Sequence, residues 1–277
     1  MNTKVLVGTP LDRVDGVAKV TGQARYAGEY PEADLLHGSV VSSTIARGRV
    51  LRIDSSRALR VPGVIAVLDH SHRPHISSYD DDYSDADSAE GSPFRPLFND
   101  QVLYSGQPLA LVVAQSLELA RYAGSLIDIH YVEQAHETDL LNVRNQAHQA
   151  PAETPEPRGD FAGQFASAPV QIDATYLTAS EHHNPMEPHA STVFYNPDGT
   201  LHIHDKTQGT QNCQDYLHKV FGLPKEHIRV LAAFVGGAFG SGLRPQYQLP
   251  LAVMAALHLQ RSVRVTLTRQ QMFSFGY

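Results

Sequence analysis

Val64 to Asp69 reads VIAVLD, an unbroken apolar run set off upstream by Pro62-Gly63. Such a run is expected of a strand buried on both faces, not of one that alternates between core and solvent. Strands and helices alternate around it. HGSVVSST, His37 to Thr44, is β-branched and reads as a strand. VLRIDSSRALRVPGVIAVLD reads as a strand, a short helix and a second strand. Asp54 and Ser55 are placed to cap a helical turn over Ser56 to Leu59. VLYSGQPLALVVAQSLELARYAGSLIDIHYVE gives strand, turn, strand, helix, strand, with Gly106-Gln107-Pro108 as the turn. Ser116 is a helix cap, and Leu117, Leu119, Ala120 and Ala123 share one side of that helix. LIDIHYVE alternates, as a half-buried strand does.

The stretch HQAPAETPEPRGD, rich in Pro and Ala, has the composition of a linker. Beyond it VQIDATYLTA is strand-like. TVFYNPDGTLHIHDKT carries Asn196-Pro197-Asp198-Gly199 between two β runs, a hairpin signal. QNCQDYLHKVFGLP predicts an amphipathic helix with Tyr216, Leu217, Val220 and Phe221 on one face, stopped by Gly222 and Pro224. HIRVLAAF is a strand, LPLAVMAALHLQ a buried helix and SVRVTLTR a last strand. The expected organisation is an arm over residues 1–12, an α/β domain over 13–138, a linker over 139–165 and the start of a second domain over 166–277.

Composition excludes several classes. With 22 Lys and Arg against 29 Asp and Glu, the net charge is -7. Phosphate backbones and anionic membranes need clustered cations, so neither is expected as a partner. One cysteine, Cys213, allows no internal disulfide and no cysteine-built cluster from this chain. No signal peptide is expected in Met1 to Pro10, and no apolar run is long enough to span a bilayer. The cytoplasm is the expected compartment, with export as part of a folded periplasmic complex as the alternative.

Three stretches carry candidate chemistry. SYDDDYSDADSAEGSP, within residues 72–96, is acidic and reads as a solvated loop. A calcium reading from Asp80, Asp81, Asp82, Asp85 and Asp87 lacks the glycine and closing glutamate where a helix–loop–helix site needs them. His183, Glu187 and His189 suggest zinc. Pro185 and Pro188 argue against the helix that a zinc motif of this kind requires, so a polar network is expected instead. VGGAFGSG, Val235 to Gly242, follows a strand and precedes a helix. Its glycines permit positive φ and close approach of backbone to a ligand, and its amides can bind an anion or oxo group. A dinucleotide fingerprint fails because Pro245 stands where the third glycine belongs. A phosphate-binding P-loop fails because no Gly-Lys-Ser/Thr is present. A tight structural turn remains the plain alternative.

That loop has company. EHHNPMEPHAS, then Thr207-Gln208 after a strand, then VGGAFGSG come in an order that resembles the large subunits of molybdenum hydroxylases, the xanthine dehydrogenase/aldehyde oxidase family. DRVDGVAKVTGQARYAGEY and FNDQVLYSGQPLALVVAQSLELARYA resemble the same family's hammerhead-like first domain. The likeness runs from about Arg13 to Tyr277, and VGGAFGSGLRPQYQLPLAVMAA is most similar to bacterial aldehyde-oxidising members. The implied fold is α/β (α+β): a hammerhead-like domain followed by the first part of a molybdopterin-binding domain.

The resemblance implies a molybdenum–molybdopterin cofactor, in the cytosine dinucleotide form among others, which carries the hard chemistry while protein positions it. It implies oxidation of aldehydes with water-derived oxygen, and iron–sulfur and FAD subunits as electron-accepting partners. Gln208 would hydrogen-bond an oxo ligand through a neutral amide. Phe239 would pack over the substrate, the Gly240 amide would face an oxo group, and Gly236 and Gly237 would let the backbone approach the pterin. Purine-oxidising members carry a glutamate where this chain has Leu243, which cannot bond a purine edge. Aldehydes are therefore expected, with Arg244 a further candidate for contact with substrate or phosphate. The family's general base is a glutamate near the C-terminus of complete members. No residue up to Tyr277 matches it, and neither Glu181 nor Glu187 takes its place.

Three readings follow. The chain works with a second polypeptide that supplies the remaining large-subunit domains; it is an inactive scaffold that binds partner subunits; or it is an unrelated α/β protein whose glycine loop is a turn. VRVTL and LAVMAAL are expected to be left exposed in a half-built second domain, and the isolated chain to self-associate.

Overall fold

A computed structural model describes residues 8–76, 95–147 and 158–274. The acidic stretch proposed as a solvated loop or calcium site falls largely outside these residues, as does most of the N-terminal arm. The chain divides into two compact units. One comprises residues 1–134 together with 183–277, and the other residues 135–182.

The larger unit is built on a seven-stranded sheet in the order β3-β5-β1-β10-β7-β8-β9. Its strands are β1 (Leu36–Ser42), β3 (Val64–Asp69), β5 (Pro108–Ala114), β7 (Ala190–Tyr195), β8 (Leu201–Asp205), β9 (Ile228–Leu231) and β10 (Val263–Thr266). A smaller sheet, β4-β2-β6, joins β2 (Gly48–Asp54) to β4 (Gln101–Val102) and β6 (Asp128–Glu133). The large sheet is mixed. β1 runs parallel to β10 with Leu36 opposite Val263, and β8 runs parallel to β9. Most of the other pairs are antiparallel, including the β7–β8 hairpin read from Asn196–Gly199, where Gly199 turns at φ 81°.

Strand β5 is the strand buried on both faces: all seven of its residues are buried. Successive side chains point to opposite faces of a strand. Leu111 and Val113 accordingly enter the main core, and Ala110 and Val112 enter a second cluster with Ala58, Val67 and Ala123. VIAVLD does not take that position, which corrects the expectation for it. It forms β3 at the sheet edge, where Ile65 is exposed and only Val67 to Asp69 are buried. An apolar run reports hydrophobicity but not how many neighbours a strand has.

Among the described residues, three helices of eight or more residues pack on the sheet. Helix α1 (Leu117–Gly124) begins at Ser116, whose hydroxyl accepts from the Leu119 amide, and buries Ala120 and Ala123. Helix α2 (Thr210–Phe221) buries Cys213, Tyr216, Leu217, Val220 and Phe221 and stops at Gly222, whose φ of 65° is left-handed as a terminating glycine requires. Helix α3 (Gln248–Leu259) is buried from Gln248 to Ala256. The expectation that LAVMAAL and VRVTL lie exposed is overturned. The first lies in α3 on the core. The second is largely β10, whose Val263 and Val265 are fully buried between β1 and β7. A central strand has neighbours on both edges, and here β1 and β7 supply them.

In the smaller unit, Asp139 caps a helical turn at Leu140–Val143 and Asp160 caps a short helix, Phe161–Ser167. The strand expected from VQIDATYLTA is not found. Residues 169–182 are exposed and belong to no helix or strand. A strand needs a neighbour for its N–H and C=O groups, and alternation alone does not provide one.

Candidate active site

The site grows from the C-terminal end of β8. Alternation along β8 puts Leu201, Ile203 and Asp205 on the core face. Asp205 thus enters the apolar interior at 2% exposure. There Ser191 Oγ donates to its Oδ1 at 2.5 Å. The Cys213 thiol lies 3.6 Å from its Oδ2 and 3.3 Å from Thr207 Oγ1. Burial pushes the Asp205 carboxyl up to about 6, against the opposing pull of these donors, and pushes the Cys213 thiol up as well.

Beyond the strand, Thr207 and Gln208 reach the glycine loop. Thr207 Oγ1 donates to the Gly242 carbonyl at 3.2 Å, and the Gln208 backbone N–H donates to the same oxygen at 2.7 Å. A Cβ on Gly242 would stand 3.4 Å from Gln208 Cγ. One side-chain and one backbone hydrogen bond thus tie two stretches far apart in sequence, and they leave the Gln208 side chain exposed beside the loop.

Within the loop, Phe239 adopts φ 56° and Gly240 φ 103°. A left-handed conformation is unfavourable for a bulky residue, and such strain persists only where the surroundings impose it. Two tight turns do so here. Ser241 N donates to Ala238 O at 2.9 Å, and Leu243 N donates to Gly240 O at 3.0 Å. The Phe239 ring lies over Gly237, where a Cβ would meet it at 3.2 Å, yet the residue is 74% exposed. Leu243 is 55% exposed, and Arg244 is partly buried. Among the described residues, the amides of Gly237, Phe239 and Gly240 donate to no protein acceptor.

Gly236 is placed differently from the other loop residues named in advance. Its amide donates to Glu187 Oε2 at 2.6 Å. Gly236 and Gly237 line a cavity of about 580 Å³ together with Tyr26, Glu29, His37, Glu187 and Arg264. Burial raises the Glu187 pKa, opposed by the Gly236 amide and by Lys206. Lys206 is 1% exposed, and its Nζ makes no hydrogen bond among the described residues. His189 is also buried, and desolvation lowers its pKa to about 3, leaving a neutral imidazole. Among the described residues no group of three or more His, Cys, Asp or Glu is gathered for a metal ion.

Asp205, Lys206 and Arg269 were not singled out from the sequence. Alternation in LHIHD foretells the inward Asp205, whereas nothing local foretells the burial of Lys206 or the partners of Arg269.

Comparison with known proteins gives this geometry its context. Residues 21–135 match the a/b hammerhead domain of aldehyde oxidase and xanthine dehydrogenase, and residues 143–276 match the molybdopterin cofactor-binding domain. The chain belongs to the aldehyde oxidase and xanthine dehydrogenase family, as an α/β protein carrying hammerhead and molybdopterin-binding sequence. It is 37% identical over 268 residues to the aldehyde oxidoreductase molybdenum-binding subunit PaoC of Escherichia coli (strain K12), covering 95% of this chain and 35% of that protein. It is 27% identical to the nicotinate dehydrogenase large molybdopterin subunit of Eubacterium barkeri, covering 94% of this chain and 60% of that one. Among solved structures, quinoline 2-oxidoreductase from Pseudomonas putida 86 superposes with a TM-score of 0.83 at 24% identity, over 96% of this chain and 35% of that one. The aldehyde oxidoreductase from Desulfovibrio gigas gives 0.78 at 25%, over 95% and 30%. The chain therefore spans about a third of most of these relatives.

Proposed function

We propose that this chain forms the oxo-facing part of a molybdenum hydroxylase that oxidises aldehydes to carboxylic acids. The observation that carries the reading is the pair of bonds from Thr207 and Gln208 to the Gly242 carbonyl, which sets a free glutamine amide beside loop amides that lack acceptors. Amides of this kind fit oxo and phosphate oxygens. The left-handed Phe239-Gly240 step, where a Cβ on Gly240 would be strained, fits close approach of a bulky cofactor. The residues present therefore suit a molybdenum–molybdopterin group. When bound, that group supplies two-electron oxidation and the oxygen-transfer centre.

This chain's own part is positional. Gln208 offers an N–H to a ligand oxygen without adding charge. The amides of Phe239 and Gly240 offer two more. The exposed Phe239 ring and Leu243 give an apolar wall for the substrate. An apolar Leu243 leaves a purine's polar edge unpaired, at a cost of about 1–3 kcal/mol, and favours an aldehyde carrying an aromatic or alkyl group. The proton-accepting base, the remaining cofactor contacts and the nucleotide on the pterin are assigned to further large-subunit sequence, in this or a separate polypeptide. Electrons pass to iron–sulfur and FAD subunits, and the cytoplasm is the proposed compartment. No described helix is long and apolar enough to cross a membrane.

The test is molybdenum and pterin content of the protein purified from its own host with its co-purifying chains, followed by aldehyde turnover. Stoichiometric cofactor, reduced at least about tenfold in activity by Gln208→Ala, is the expected result. Absence of molybdenum and pterin in a host that makes the cofactor would leave the scaffold reading in its place.

A further inference from the structure

The stretch EHHNPMEPH contributes no catalytic group to the function above, and it gathers no metal. It does, however, run beside the glycine loop and meet it at two points. Glu187 Oε2 accepts from the Gly236 amide at 2.6 Å, and a Cβ on Gly236 would press on the Glu187 side chain at 3.0–3.1 Å. Toward the loop's far end, a Cβ on Gly240 would reach His183 Nε2 at 3.6 Å. The stretch therefore lies against both the entry and the strained step of the loop.

It is itself held by a residue outside the loop. Arg269, just past β10, donates through Nη1 to Asn184 Oδ1 at 2.9 Å and to the Pro185 carbonyl, and through Nη2 to the Met186 carbonyl at 2.8 Å. One guanidinium thus fixes three consecutive residues, an arrangement suited to its rigid fork of donors. Asn184 is held at a positive φ of 36°, so the clamp sustains a conformation the chain alone disfavours. Among the described residues Arg269 makes no hydrogen bond to the loop residues 235–242. Its reach to the loop passes through residues 184–187.

We infer that residues 183–187 form a brace that sets the glycine loop, with Glu187 as the positioning residue and Arg269 as the anchor. Glycines make the loop adaptable, and adaptable backbone has to be fixed by something outside it if its amides are to point one way. The carboxylate does this at Gly236, one residue before the amides that lack acceptors. Because Glu187 bonds backbone, the constraint acts on the chain path and not on a single side chain. Burial raises the Glu187 pKa, and the Gly236 amide and the buried Lys206 oppose that rise. The brace stands without any cofactor; its use in orienting one rests on the function proposed above.

The experiment is hydrogen exchange by mass spectrometry on the full chain, following peptides over residues 235–242 with helix Thr210–Phe221 as the control. Glu187→Ala and Arg269→Ala are both expected to speed exchange in the loop by about tenfold while the control helix keeps its rate. Glu187→Gln retains an acceptor oxygen and is expected to recover most of the protection. Unchanged loop exchange in Arg269→Ala would overturn the inference, as would equal acceleration in Glu187→Gln and Glu187→Ala. If Glu187→Ala unfolds the whole chain, Arg269→Ala and Glu187→Gln decide the question by the same criteria. Molybdenum content measured on protein purified from its own host with its co-purifying chains separates the two proposals: a loop held as described in such a preparation without molybdenum would refute the function and leave the brace.

Discussion

Replacing Asp205 by asparagine tests how the interior beneath the site is held. The carboxyl sits on the core face of β8, bonded by Ser191 Oγ and faced by the Cys213 thiol. Burial raises its pKa from 3.8 to about 6. A folded-state pKa above the unfolded one means that the folded chain holds the proton more tightly. The stability this confers is fully present below the unfolded value and is lost as pH rises through about 6. A shift of this size corresponds to about 3 kcal/mol. Asparagine keeps the shape and does not ionise. Urea unfolding of wild type and Asp205→Asn at steps from about pH 4 to about pH 7 gives the difference in stability at each pH, so titrations common to both proteins cancel. The wild-type advantage is expected to fall by about 2.4 kcal/mol across that range. A difference that stays flat, or that grows toward neutral pH, would refute the claim that the carboxyl is buried and preferentially protonated.

Two further outcomes are expected. Leu111→Ala, at a fully buried position of β5, is expected to cost about 2–5 kcal/mol in denaturant unfolding, and a loss below about 1 kcal/mol would contradict the placement of β5 at the centre of the core. The isolated chain is expected to self-associate in light scattering, because Val170, Ile172, Tyr176, Leu177 and Phe239 are each more than 70% exposed. A monodisperse monomer at micromolar concentration would count against it.

What the sequence made legible was local. Ser116 announces its helix through a hydroxyl that accepts from the Leu119 amide. Gly222 announces the end of α2 because only a residue at ease with positive φ fits there. Asn196–Gly199 announces a hairpin for a similar reason. The glycine loop and Gln208 were readable as candidates, but their junction at the Gly242 carbonyl was not, since a backbone bond between distant stretches leaves no mark on residue type. The same limit applies to the Arg269 clamp. VIAVLD and VQIDATYLTA misled in one way: each shows the composition of a strand, while neighbours decide whether a strand is central, at an edge or absent. The buried VRVTL shows the converse, a segment expected to lie bare that found partners at both edges.

The parallel pairing of β1 with β10 has a consequence for synthesis of the chain. Leu36 leaves the ribosome early, and its partner Val263 follows only after roughly two hundred further residues, on the order of ten to forty seconds later at ordinary elongation rates. During that interval β1 can pair with β5 on one side, while its other edge presents unpaired N–H and C=O groups to whatever is near. Contacts of such sequence separation form slowly. The nascent protein thus spends much of its birth as an open-edged sheet, and it is in this period, before any cofactor is within reach, that it is most exposed to aggregation and most dependent on being shielded.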